Sequence, residues 1–214
     1  GVALFPKDGE TAASLLRNCD AAMHRAKELG RHSVQFYAPE MNAHMLERLE
    51  LESGLRRAIE RHEFQLHYQS KVELSRGLIV GAEALIRWCH PSMGMISPGD
   101  FIPLAEETGL IIPIGEWVIE TACRQLKSWH EEGFSDIALS VNLSGRQFQQ
   151  ENLVDLVARV LRDHDLQAQY LELEITESAV MHDPLQTIEI LRRLKKLGVR
   201  ISLADFGTGS SSLN

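Results

Sequence analysis

Apolar positions along this chain change their period several times, and each change marks an expected element. A short apolar run from Gly1 to Phe5 ends at Pro6-Lys7-Asp8-Gly9, which predicts a strand and a turn. Ala12, Leu15, Leu16, Cys19, Ala22, Met23 and Ala26 then recur at helical spacing, so a helix is expected over Thr11 to Leu29 with Gly30 as its C-cap. Val34 to Tyr37 reads as another short strand. Residues 1–37 are too few to bury a core, so they are expected to be the tail of an α+β domain whose front lies upstream. From Pro39 to about Arg61 a charged amphipathic run carries Met41, Met45, Leu49, Leu51, Leu55 and Ile59. It predicts a helical linker over 38–49 that passes into a second domain over 50–214.

Phe64 to Gln69 and Gly77 to Trp88 predict two strands joined through Glu73-Leu74-Ser75-Arg76-Gly77, an antiparallel pair. Helices are expected at about 98–107 and 113–132, the second opening at Pro113 and stopping at Gly133. A strand (Ile137 to Leu143), a helix (151–164), a strand (Tyr170 to Thr176), a helix (184–197) and a strand (Val199 to Asp205) follow. Alternating strands and helices predict a parallel sheet.

Within that pattern the chemistry gathers at strand ends. Leu78-Ile79-Val80 leads through Gly81-Ala82 into Glu83, and an acid at the end of a buried strand is costly unless paired. A metal ion is the usual compensation where further oxygen ligands end nearby strands. Asn142, Glu174 and Asp205 end later strands in the same way, 32 and 31 residues apart. One strand-helix unit per step suits a (β/α) barrel, whose site lies at the carboxyl ends of its strands. An open doubly wound sheet would also bind there, but no G-x-G-x-x-G or Walker-type loop follows any strand.

Composition narrows the partners. A formal net charge of -8 argues against a general nucleic-acid binder, which needs a basic face, although not against a small phosphorylated ligand. Cys19, Cys89 and Cys123 form no C-x-x-C pair and suit reduced thiols in the cytoplasm. No apolar run reaches membrane-span length, and anchoring to the inner membrane would fall to upstream segments of a longer parent. The nine histidines form no H-E-x-x-H or Cys/His cluster, which speaks against zinc. His90 is expected to be structural, and Trp117, Leu126 and Trp129 to be core.

At Glu83-Ala84-Leu85 the sequence resembles the EAL domain, the family that hydrolyses the bacterial second messenger cyclic di-GMP. The likeness runs from about Leu46 to the end and rests on several segments in order. These are Gly81 to Trp88, Ser97 to Glu106, Ser140-Val141-Asn142-Leu143-Ser144, Leu173-Glu174-Ile175-Thr176-Glu177 and Asp205-Phe206-Gly207-Thr208-Gly209. Asp20 to Arg31 is similar to the carboxyl end of a GGDEF (diguanylate cyclase) domain. The resemblance implies an incomplete TIM-like barrel with one antiparallel strand at its start, preceded by a GGDEF fragment, in a parent cut at both ends. It also implies cyclic di-GMP as partner, a homodimeric parent and an upstream sensor domain.

By the same resemblance the barrel mouth holds two divalent cations, Mg2+ or Mn2+, and the product is linear pGpG. Glu83, Asn142, Glu174 and Asp205 match metal ligands of the family, with Glu83 and Asp205 also counted as catalytic. Leu85 and Arg87 match ligand-binding positions, and Glu177 matches the glutamate that anchors the loop after Asp205. The chain departs from the pattern at Ala204, where the family has the first aspartate of an Asp-Asp pair. Ser70 and Ser210 replace a frequent proline and tyrosine. A barrel of this type needs roughly 250 residues, so the later strands, with a catalytic lysine and a further glutamate, are expected beyond Asn214. The fragment itself is expected to be inactive.

Two readings therefore stand side by side. One is a metal-dependent phosphodiesterase impaired by Ala204 and truncation; the other is a catalytically degenerate cyclic di-GMP receptor. Outside the site, Lys27 and Arg31 are expected on a solvated helix face, and Glu106 and Glu107 in a salt-bridge or capping role.

Overall fold

The computed structural model describes residues 1–29, 33–176 and 184–204. They divide into two compact units, Gly1–Gly54 and Leu55–Asn214.

In the first unit, helix α1 (Ala12–Glu28) opens at Thr11, whose hydroxyl accepts from Ser14 N while Ser14 Oγ accepts from Thr11 N. This reciprocal cap satisfies donors that the first turn leaves unpaired. Leu29 occupies the C-cap position, and the expected cap Gly30 lies outside the described residues. The two strands expected at Gly1–Phe5 and Val34–Tyr37 shrink to a single parallel bridge between Val2 and Phe36. The reason is local: Leu4 N donates to Asp8 Oδ2 at 2.7 Å, so the turn takes the amide that a longer ladder would need. Lys27 is exposed near the end of α1, and Arg31 lies outside the described residues.

Helix α2 (Glu40–Ala58) leads to the second unit, where β1 (Phe64–Glu73) and β2 (Leu78–His90) form the expected antiparallel hairpin. Gly77, with φ 64, supplies the left-handed turn residue. A short strand β3 (Gly94–Ile96) then folds back on the end of β2, an element the sequence pattern did not announce. His90 explains it: its Nδ1 accepts from the amides of Ser92 and Met93, closing the turn. The histidine is thus structural.

Helices α3 (Pro98–Thr108) and α4 (Ile111–Glu131) follow. Helix α4 begins two residues before Pro113, because a proline in the first turn removes an N–H that has no helical acceptor anyway. Next come β4 (Ala138–Leu143), the short α5 (Gly145–Phe148), α6 (Leu153–Asp163), a 3-10 turn (Ala168–Tyr170), β5 (Leu171–Thr176), α7 (Pro184–Leu197) and β6 (Arg200–Ala204).

The sheet order is β1-β2-β4-β5-β6, with β3 pairing the last residues of β2 on the edge opposite β1, and the steps from β2 through β4, β5 and β6 are parallel. Among the described residues it stays open between β1 and β6. Leu139, Val141, Leu143, Leu171, Leu173 and Ile175 are all buried, and they share one face of β4 and β5. The alternate positions are Ser140, Asn142, Glu172 and Glu174. Parallel strands buried on both sides carry near-continuous apolar runs; strict alternation here marks a sheet with one apolar and one polar face.

Aromatic packing fixes the start of that sheet. Trp88 and Phe101 are fully buried, and Phe64, Trp88, Phe101 and Trp117 stack with ring centroids 5.6–6.1 Å apart. Leu126 is buried, while Trp129 is half-buried and meets Tyr68 edge-on. At Gly81 the strands run so close that an added Cβ would lie 2.8 Å from the Ala138 carbonyl oxygen.

Candidate functional site

The polar face carries Glu83, Leu85, Arg87, Asn142 and Glu174, the expected site residues that are described. Register on β2 places Gln65 opposite Arg87, His67 opposite Leu85, Gln69 opposite Glu83 and Lys71 opposite Gly81. Glu83 pairs with Ser140 of β4, Asn142 with Glu174 of β5, and Glu174 with Ser202 of β6. Glu83 thus sits one row below Asn142, and its longer side chain makes up the difference: Asn142 Nδ2 donates to Glu83 Oε1 at 2.7 Å.

Glu174 is held from the other side. Lys71 Nζ donates to Glu174 Oε1 at 2.5 Å and to Ser140 Oγ at 2.6 Å, and lies 3.6 Å from Glu172 Oε2. Ser140 Oγ in turn donates to Glu172 Oε2 at 2.9 Å. Burial works against the charge on Lys71, yet the hydrogen bond to Glu174 and the charges of Glu172, Glu174 and Glu83 hold its pKa above the ordinary value. Burial likewise opposes ionisation of Glu172, but the nearby Ser202 hydroxyl, the hydrogen bond from Ser140 Oγ and the Lys71 ammonium bring its pKa below the ordinary value.

Arg87 is half-buried and folds back so that Nη1 donates to the Ile86 carbonyl at 2.8 Å. Among the described residues no carboxylate pairs with it. Leu85 stands beside it on the same face of β2. Glu177 and Asp205 lie outside the described residues. The register does bear on the spacing argument: the partner of Glu174 is Ser202, and the next position in that row is 204, paired with Thr176. The count of 31 from Glu174 to Asp205 is therefore not the register of the sheet.

The loop after Asn142 is braced by α5. Ser144 caps it, and Gln147 Oε1 accepts from Ser144 N at 3.0 Å. Gln147 is buried against Gly115 of α4, where any Cβ would collide with its amide. Arg146 Nη1 donates to the carbonyls of Glu106 and Glu107 at the end of α3, so these residues contribute backbone acceptors to a cap. Burial pushes the Glu106 carboxyl pKa up, with Arg146 opposing.

Lys71, Ser140, Glu172 and Ser202 are site neighbours that sequence reasoning missed. Their signal was period-two alternation: Ser140 and Glu172 stand two residues before Asn142 and Glu174. A separate cavity of about 250 Å³ lies among Tyr68, Ser70, Ile79, Ala82, Trp129, Phe134 and Ile137. Tyr68, Ser70 and Ala82 alternate with the residues of the polar face, so this cavity belongs to the other side of the hairpin.

The sequence profile of the EAL domain matches residues 52–214. The chain belongs to the EAL domain family. The bifunctional diguanylate cyclase/cyclic di-GMP phosphodiesterase MucR of Pseudomonas aeruginosa is 49% identical over 213 residues, covering 100% of this chain and 31% of MucR. The cyclic di-GMP phosphodiesterase NbdA of the same organism is 41% identical over 213 residues, covering 100% of this chain and 27% of NbdA. Among solved structures, the MucR phosphodiesterase in complex with cyclic di-GMP superposes with a TM-score of 0.73 at 50% identity, over 76% of this chain and 66% of that one. The chain thus spans about a third of the length of the curated relatives it matches. The α/β architecture with its antiparallel first strand is that of the family's TIM-like barrel, of which the described residues form an open arc.

Among the described residues no three His, Cys, Asp or Glu side chains converge closely enough to hold an ion. None of the described helices is long and apolar enough to cross a membrane.

Proposed function

We propose that the polar face of this EAL domain binds cyclic di-GMP and that the intact protein hydrolyses it to pGpG, slowly because position 204 lacks a carboxylate. The observation that carries the reading is the contact of Asn142 with Glu83, with Glu174 paired to Asn142 in the next strand. Three oxygen-bearing side chains from three parallel strands are thereby gathered on one face. The chain's residues fit hard divalent cations by donor type, since carboxylate and amide oxygens are what Mg2+ and Mn2+ take. Glu83, Asn142, Glu174 and Asp205 would hold them, with Asn142 offering its amide oxygen while its NH2 stays on Glu83. When bound, such ions lower the pKa of a water and stabilise charge developing on a phosphate.

The other roles belong to side chains. Arg87, with no carboxylate partner among the described residues, is suited to grip a ligand phosphate through two hydrogen bonds. Leu85 offers the adjacent apolar contact for a base or ribose. Glu177 is assigned, by its place in the family motif alone, the role of anchoring the segment after Asp205. Residues 1–37 are read as the end of a GGDEF domain, 38–49 as linker and 50–214 as EAL domain. The naming of MucR as bifunctional, with this chain matched from end to end, supports that layout.

The second reading, a receptor that binds without turnover, is favoured by Ala204. Measuring pGpG release by the intact protein with Mn2+, before and after Ala204→Asp, separates the two. A rise of roughly 100-fold or more is expected from restoring one well-placed electrostatic group. Brisk turnover without the replacement would overturn the account of Ala204, and failure to bind cyclic di-GMP would overturn both readings.

A further inference from the structure

We propose that Lys71 is a built-in counter-ion for the glutamates of the polar face and competes with a divalent cation for Glu174, so that it sets how tightly the face takes metal. The inference rests on the function proposed above and adds a residue to it.

Lys71 belongs to β1, at the level of Gly81, below the row of Glu83. Its side chain nevertheless ends against β4 and β5, past a hairpin partner that has no side chain of its own. An ammonium has three donors and is strongly hydrated, so leaving water requires acceptors in place. Here two are at hydrogen-bond distance, Ser140 Oγ and Glu174 Oε1, and Glu172 Oε2 lies 3.6 Å away. Glu172 and Glu174 are 23% and 13% exposed, so neither relies mainly on solvent for its charge. The lysine holds them on the sheet through its own charge and hydrogen bonds.

The same contact opposes a metal. A cation that takes Glu174 as ligand must either displace the ammonium or share the carboxylate with a like charge beside it. In a partly buried site a like charge at that range weakens binding by roughly tenfold or more. Lys71 therefore trades cation affinity for order in the unloaded state.

The test is calorimetric titration of MnCl2 into the intact protein, alongside thermal unfolding with and without Mn2+, for wild type, Lys71→Met and Lys71→Arg. Lys71→Met is expected to bind Mn2+ roughly tenfold tighter. Its melting temperature should fall without metal and rise more than that of wild type when Mn2+ is added. Lys71→Arg keeps the charge and should keep the weaker affinity. If Lys71→Met does not fold, Lys71→Gln removes the charge while retaining a donor, and the same tightening is expected. Wild-type silence with binding in Lys71→Met or Lys71→Gln also supports competition. Equal or weaker Mn2+ binding by the uncharged variants, with wild type binding normally, overturns this inference alone. No Mn2+ binding by any of the proteins overturns the metal-dependent reading and this inference with it.

Discussion

Lys71 and Glu174 stand 103 residues apart in the chain, yet Nζ and Oε1 are 2.5 Å apart, clasping β1 to β5 across the two strands between them. The clasp is only partly shielded, since the lysine side chain is 37% exposed. A charged hydrogen bond in such a place contributes more than a surface ion pair and less than a fully buried one. A double-mutant cycle with Lys71→Met and Glu174→Gln, read by urea unfolding without metal, should give a coupling of about 1–2 kcal/mol. Additive effects would show that the contact contributes nothing to stability.

Asn142 donates to Glu83 where an aspartate would face it with a second negative charge. Asn142→Asp should therefore lower stability at neutral pH by up to about 1 kcal/mol, through the lost amide donor and the added like charge. Thermal unfolding of Asn142→Asp beside Asn142→Ala checks the cause: the aspartate variant should be the less stable of the two.

Trp88 is fully buried, and its Nε1 donates to Glu63 Oε2 at 2.9 Å. Glu63 is itself buried at 8% exposure, so Trp88→Phe leaves a carboxylate with a lost donor as well as a smaller ring. A cost of about 2–3 kcal/mol is expected from denaturant unfolding. A second carboxylate change tests the cause: Glu63→Gln should make the Trp88→Phe penalty smaller.

Cys123 is buried on α4, and burial, reinforced by the charge of Glu120, pushes its thiol up from 9.0 to about 12. The unfolded chain then releases this proton at a lower pH than the folded one. Between pH 9 and about 12 the unfolded state binds fewer protons, so this group makes stability fall as pH rises, and below pH 9 it contributes no slope. Native protein at pH 8 should leave Cys123 unmodified by an aromatic disulfide reagent, with full reaction after denaturation. Cys123→Ala should flatten the alkaline loss, at the cost of a small cavity.

The expected elements of the second unit appear where the pattern put them because each is a local matter. A 3.6-residue period needs only its own stretch of chain to make α4 or α6 amphipathic, and alternating strands and helices need only their order to imply parallel neighbours. The apolar run into an acid drew attention to Glu83, but the strand-end reasoning is corrected by the fold: β2 continues to His90, Glu83 stands mid-strand, and Leu78, Ile79 and Val80 are exposed. Asn142 and Glu174 followed from counting along repeats of like length.

What the chain alone left open depends on register and reach. The near-equal steps of 32 and 31 suggested equivalent strand ends, but hydrogen bonding pairs Asn142 with Glu174 and Glu174 with Ser202, so the second strand-to-strand step in register is four residues shorter than the first. Strand β3 exists because a histidine ring nitrogen closes a turn, a contact that no period encodes. Lys71 in sequence is one more polar residue on an edge strand; only the folded sheet brings its ammonium to Ser140 and Glu174. Local composition decides which stretches become helix or strand and which ends carry acids. Which charge meets which acid is settled by how strands far apart in sequence align, and that alignment is a property of the assembled sheet.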